Sequence, residues 1–166
     1  MKTSTTPPIH WPAVIAALAL LFVGCAPIPP TAAEHGYPPD FSLVFTVKHD
    51  DAPSDLLDPL AMPAQHVVSP DRTLRVALGP GAGHDFHPAV TARLSPQQMI
   101  QLYRIAEAGN LLDAPPHTDT DVDPTGLHYR ITLTAHGYRR HYTTTPTDHP
   151  AATMLLERLI KLRTPH

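Results

Sequence analysis

The chain has 166 residues, with 12 Lys and Arg against 15 Asp and Glu, a formal net charge of −3. This mildly acidic balance gives no footing for nucleic-acid binding, and one cysteine excludes an intrachain disulfide framework. Proline (21) and histidine (12) are over-used. The first punctuates element boundaries, and the second raises metal or pH-switch chemistry against a background of scattered solvated side chains.

The longest apolar run is Ala13 to Cys25, A-V-I-A-A-L-A-L-L-F-V-G-C. At 1.5 Å per residue its apolar part, Ala13 to Val23, reaches roughly half of a ~30 Å hydrocarbon core. That is short for a membrane span and fits the apolar region of a secretory signal, with Lys2 ahead of it and small Gly24 at its end.

The F-V-G-C step at Phe22, Val23, Gly24 and Cys25 resembles the lipobox of bacterial lipoproteins. The resemblance covers residues 1–25. It implies cleavage before Cys25 and acylation of Cys25 by chains that hold the protein on a lipid membrane; several chains anchor stably where one does not. It also implies a cell-envelope location. Ala26 follows the cysteine, where an acidic residue would favour the inner membrane, so the expected location is the outer membrane, facing periplasm or cell surface. A plain cleaved signal with a free Cys25 thiol and an uncleaved short anchor are the alternatives. The expected organisation is a signal peptide at 1–24, a lipidated cysteine and Pro-rich tether at 25–40, and one small domain at 41–166. The tether, with five prolines, would extend up to about 45 Å.

Phe41 to His49 alternates with period 2 and predicts a strand with Phe41, Leu43, Phe45 and Val47 on a covered face. Gln65 to Ser69 and Thr73 to Leu78 predict a hairpin around Pro70-Asp71. Ser95, Pro96 and Gln98 form an S-P-x-Q helix start, with Met99, Leu102, Tyr103 and Ala106 as the apolar stripe and Gly109 as the stop. Leu127 to Ala135 and Tyr138 to Thr144 predict a second hairpin through His136-Gly137. In that register Tyr138, Arg140 and Tyr142 share the apolar face, where Arg140 must snorkel or the turn must be longer. A last helix follows Asp148, His149 and Pro150, with Ala151, Leu155, Leu159 and Leu162 as its stripe. The predicted fold class is α+β: an antiparallel sheet of about five strands with two helices covering one face, in the order β-β-β-α-β-β-α.

Few residue patterns carry chemistry. His84, Asp85 and His87 share a glycine-rich loop, and Asp119, Asp121 and Asp123 imitate the start of a calcium loop. The first set lacks further ligands. The second has Pro124 where glycine is needed and Arg130 where a bidentate Glu belongs. No metal site, cofactor motif or catalytic set is therefore expected, and the chain is not expected to be an enzyme. The more informative pattern is outward-facing: His128, Arg130, Arg139 and His141 should share one face of the last hairpin beside Thr132, Thr134 and Thr143. Such a face suits an anionic envelope protein or glycan. The expected function is a membrane-anchored binding module; a metal-dependent or hydrolytic envelope enzyme using the histidine-bearing loops, or a purely structural component, are the alternatives.

Overall fold

The computed structural model describes residues 36–49, 58–84, 88–113 and 126–163. Residues 1–35, with the lipobox-like segment and Cys25, lie outside them. Six strands form one antiparallel sheet: β1 (Ser42–Lys48), β2 (Ala64–Val68), β3 (Thr73–Leu78), β4 (Val90–Arg93), β5 (His128–Ala135) and β6 (Tyr138–Thr144). Their order is β4-β3-β2-β1-β5-β6. Helices α1 (Pro96–Ala108) and α2 (Pro150–Arg163) pack on one face. The α+β class is as expected.

The strand count is one higher than expected. The extra strand, β4, is only four residues long and mostly exposed, so its V-T-A-R alternation is too short to reveal it. It pairs with β3 across an irregularity at Leu74/Arg75.

The core lies between sheet and helices. Phe41, Leu43, Phe45 and Val47 meet Tyr129, Ile131 and Leu133 of β5 and Val68 and Leu74 beyond. From the other side come Met99, Leu102 and Ala106 of α1 and Leu155, Leu156 and Leu159 of α2. Within α2, Ala152 is buried and Ala151 only half-buried, so the stripe is rotated slightly from the expected one. Tyr37 and Pro38, in the Pro-rich segment before β1, are also buried, with the Tyr37 ring edge-on to Phe41 at 6.4 Å.

Helix α1 starts as its sequence dictates. Gln98 N–H donates to Ser95 Oγ (3.2 Å), and Ser95 N–H donates to Gln98 Oε1 (2.7 Å). This reciprocal box satisfies two backbone donors that the first turn leaves over. Buried Leu94 before the cap and Met99 in the second turn occupy the positions of a hydrophobic staple.

The end of α1 differs from the expected glycine stop. Gly109 has φ −84°, which any residue adopts, and Asn110 takes the left-handed conformation instead (φ 54°). Glycine is needed at 109 for space: a Cβ there would stand 2.2 Å from Cβ of Ala151 at the start of α2. The start of α2 therefore lies close against the end of α1 at this glycine. Farther along, Arg158 of α2 donates to the Gln101 side chain of α1.

Gly109→Ala should separate α1 from α2 and destabilise the domain by about 1–3 kcal/mol, the usual cost of overpacking. Chemical denaturation measures this directly. An unchanged midpoint would show that the helix contact yields freely.

Candidate functional site

The helices cover one face of the sheet. The strand registers define what stands on the other. In β5 the alternation places Arg130, Thr132 and Thr134 there, opposite Thr46, Val44 and Ser42 of β1 on one side. On the other side they face Thr143, His141 and Arg139 of β6. Lys48 lies at the end of the β1 row, and Gln65 and Val67 of β2 continue the face toward Arg75 of β3.

The resulting half-sheet of β1, β5 and β6 carries Lys48, Arg130, Arg139 and His141 among hydroxyls. No carboxylate belongs to it among the described residues. Arg130 and Arg139 are exposed, whereas Thr46 and Thr143 on either side of Arg130 are buried. His141 is exposed, with Nδ1 2.8 Å from Thr132 Oγ1 of the neighbouring strand. On the far half of the sheet the cations are engaged. Arg75 donates to the Pro88 carbonyl at 3.3 Å. Asp71, at the β2–β3 turn, is held below the usual carboxylate range by hydrogen bonds from Thr73 and by the charges of Arg93 and Arg75.

One member of the expected face is corrected. His128 stands in the outward register opposite Lys48, yet it is only 4% exposed. Its Nδ1 lies 3.0 Å from the carbonyl oxygen of Gly126, so that nitrogen carries the proton and the ring folds back on the chain entering β5. Burial and this bond remove it from any accessible surface. Period 2 fixed its face without revealing the residues that cover it.

The β5–β6 turn is the expected two-residue one, since His136 and Gly137 both have positive φ (54° and 77°). The Asp40 carboxylate holds it, accepting from His136 N–H (3.0 Å) and Gly137 N–H (2.6 Å). Tyr103 of α1 ties the same corner, with its hydroxyl 3.2 Å from His136 Nε2. Arg140 is accordingly on the apolar side, as the short turn requires. It is accommodated by a cleft of about 250 Å³ between the hairpin and the end of α1, lined by Leu112, Asp113, Leu133, Ala135, Tyr138 and Arg140, with His136. The guanidinium shares this cleft with a carboxylate.

Of the other sequence candidates, His84 is exposed at the end of a short 3₁₀ turn, Ala82–His84. Asp85, His87, Asp119, Asp121 and Asp123 lie outside the described residues. Among the described residues no three His, Cys, Asp or Glu side chains gather as a metal site would. No helix among them is long and apolar enough to cross a membrane.

Sequence reading missed a buried histidine. His66 of β2 lies on the core face between Ala64 and Val68 and is fully buried, with neither ring nitrogen hydrogen-bonded. Period-2 alternation in A-Q-H-V-V was the available signal. Tyr142 is likewise buried with an unpartnered hydroxyl, and burial pushes its ionisation up.

No protein-family model matches the chain, and no curated protein matches it.

Burial, with Arg163 nearby, lowers the His66 pKa from 6.5 to about 4. The unfolded chain therefore binds this proton first, and stability should fall as pH drops from about 6.5 toward about 4. The shift corresponds to roughly 3 kcal/mol. His66→Leu should flatten that slope and leave stability at neutral pH equal or higher. Urea midpoints at pH 7 and 4.5 test this, and an unaltered slope in the variant would assign the titration to other groups.

Proposed function

We propose that this chain is a lipid-anchored binding module of the bacterial cell envelope, and that the open face of β1, β5 and β6 takes an anionic partner. The observation that carries the reading is the charge segregation. Lys48, Arg130, Arg139 and His141 share a face without a carboxylate among the described residues, on a chain whose formal charge is −3. Threonine hydroxyls between the cations add donors and acceptors on a flat, β-branched surface.

The anchor part of the proposal rests on the lipobox-like Phe22 to Cys25 and on the Pro-rich stretch that follows it. An anchored module meets its partner at high effective concentration, so modest affinity per site suffices. The proposed role is binding rather than catalysis.

Exposed charges contribute up to about 1 kcal/mol each, and their contribution is screened by salt. Arg130→Ser with Arg139→Ser should therefore weaken binding of a sulfated polysaccharide by about tenfold at low ionic strength. The thermal midpoint should stay unchanged, and the difference should shrink as salt rises. Equal affinity of variant and parent would remove the face from the reading. Intact mass of the membrane-fraction protein tests the anchor separately: the expected species begins at Cys25 and carries acyl mass.

A further inference from the structure

The open face ends at β6, which among the described residues has a strand neighbour on one side only. The backbone of β6 says what that edge offers. A two-residue turn makes Ala135 and Tyr138 the first hydrogen-bonded pair of the hairpin. Antiparallel pairing then alternates, so Arg140 and Tyr142 exchange their N–H and C=O groups with Leu133 and Ile131 of β5. The same alternation turns the N–H and C=O of Arg139 and His141 outward, away from β5. Neither residue's backbone has a partner beyond β5 among the described residues. The strand runs seven residues without proline or register shift.

The opposite edge of the sheet is built differently. β4 has four residues, follows Pro88 and is paired through a bulge. Short, bulged edges resist pairing with another strand. Among the described residues the first half of β6, Tyr138 to His141, has neither protection and is guarded by charge, whereas Tyr142, Thr143 and Thr144 are buried.

The charge on the strand's own side chains has one sign. Arg139 and His141 project on the open face, and Arg140 projects on the other side into the cleft beside exposed Tyr138. A second copy of β6 would bring three more basic side chains to the same edge, which like-charge repulsion opposes. Of the carboxylates near this edge, Asp113 shares the cleft with Arg140, and two others are engaged within the chain. Asp40 accepts from the turn amides, and Asp148 accepts from Thr145 Oγ1.

We propose that the edge of β6 is a strand-addition site for an extended acidic peptide. The outward backbone groups of Arg139 and His141 pair with the peptide main chain. Arg139 and His141 meet acidic side chains on the open face, and the cleft at Tyr138 and Arg140 receives the side chains that alternate with them. Main-chain bonds would supply affinity and the alternating side chains the selectivity, as strand addition generally divides them. This inference rests on the anion-binding reading of the open face and narrows its partner to an extended polypeptide.

The test uses the intact chain in detergent micelles, with backbone amide exchange read residue by residue. Three probes are compared: a capped ten-residue peptide of alternating Glu and Val, a peptide of equal charge with Pro replacing each Val, and a sulfated polysaccharide. The expected result is at least tenfold slower exchange at Arg139 and His141 with the Glu-Val peptide only, and binding at least tenfold weaker for the proline version. If both peptides and the polysaccharide bind equally without protecting these amides, the strand-addition inference is overturned while the anionic face stands. If none binds, the face reading falls and the inference with it. Protection of the same amides by raising the concentration of the chain alone would assign the edge to a second copy and overturn the acidic-peptide partner.

Discussion

The structure depends on β1 being held on both sides. Its core-facing side chains, Leu43, Phe45 and Val47, are almost wholly removed from water, and Phe41 just ahead of it is too. Burying each such side chain contributes roughly 1.5–3 kcal/mol before entropy is counted. Their partners arrive from opposite directions. The β2–β3–β4 meander follows directly along the chain, whereas β5 returns only after α1 and a long connection. The β1–β5 seam is therefore the costly, non-local step, because loop closure must precede the contacts that reward it. Aromatic contacts concentrate on this seam and at its end: Phe45 on Tyr129 at 5.1 Å, and Phe41 edge-on to Tyr103 of α1 at 5.4 Å. The Tyr129 hydroxyl adds a bond to the Leu60 carbonyl at 3.3 Å, tying the segment before β2 to β5.

Once β1 joins β2 and β5, the period-2 alternation assigns every other side chain without further choice. Apolar residues go to the helices, and the cations and threonines go to the opposite face. The charge segregation is thus a consequence of register. A one-residue slip of β5 would bury Arg130 and expose Ile131, at a cost no surface interaction could offset. The same register that secures the core keeps the cationic row in line from Arg139 through Arg130 to Lys48. The Asp40 clamp on the turn fixes the end of that row, since it locks the hairpin to the segment entering β1.

Much of this was legible in the sequence, and the failures have physical causes. The capping box of α1, the two-residue turn at His136-Gly137 and the core alternation of β1 and β5 are local signals, and the structure realises them. Strand β4 was not legible because four residues at a sheet edge bury little and need no pattern. Gly109 was legible as a helix end, but its reason was not: the φ argument fails, and the close approach of Ala151 is a tertiary fact. His128 shows the same limit for the site, because alternation gives a face and not its exposure. Arg140 looked misplaced in sequence because the cleft that receives it exists only once the end of α1 packs near the hairpin.

The contrast between the two sheet edges adds a last constraint. An edge strand is an aggregation hazard, and a fold can remove it by shortening, bulging or charging the strand. Shortening and bulging block every partner, as at β4. Charging is selective: it repels copies of itself and neutral strands gain little from it, while an oppositely charged strand is attracted. Specificity obtained by repulsion of wrong partners requires that the backbone edge itself remain competent to pair. At β6 the regular seven-residue pairing is kept, and among the described residues its exposed first half is guarded by Arg139, Arg140 and His141. With Tyr138 70% exposed at its start, this edge retains both the main-chain groups and the apolar surface that pairing uses. Charge, unlike shortening or bulging, can attract as well as repel, and the sign it carries on the described part of this edge matches the open face beside it.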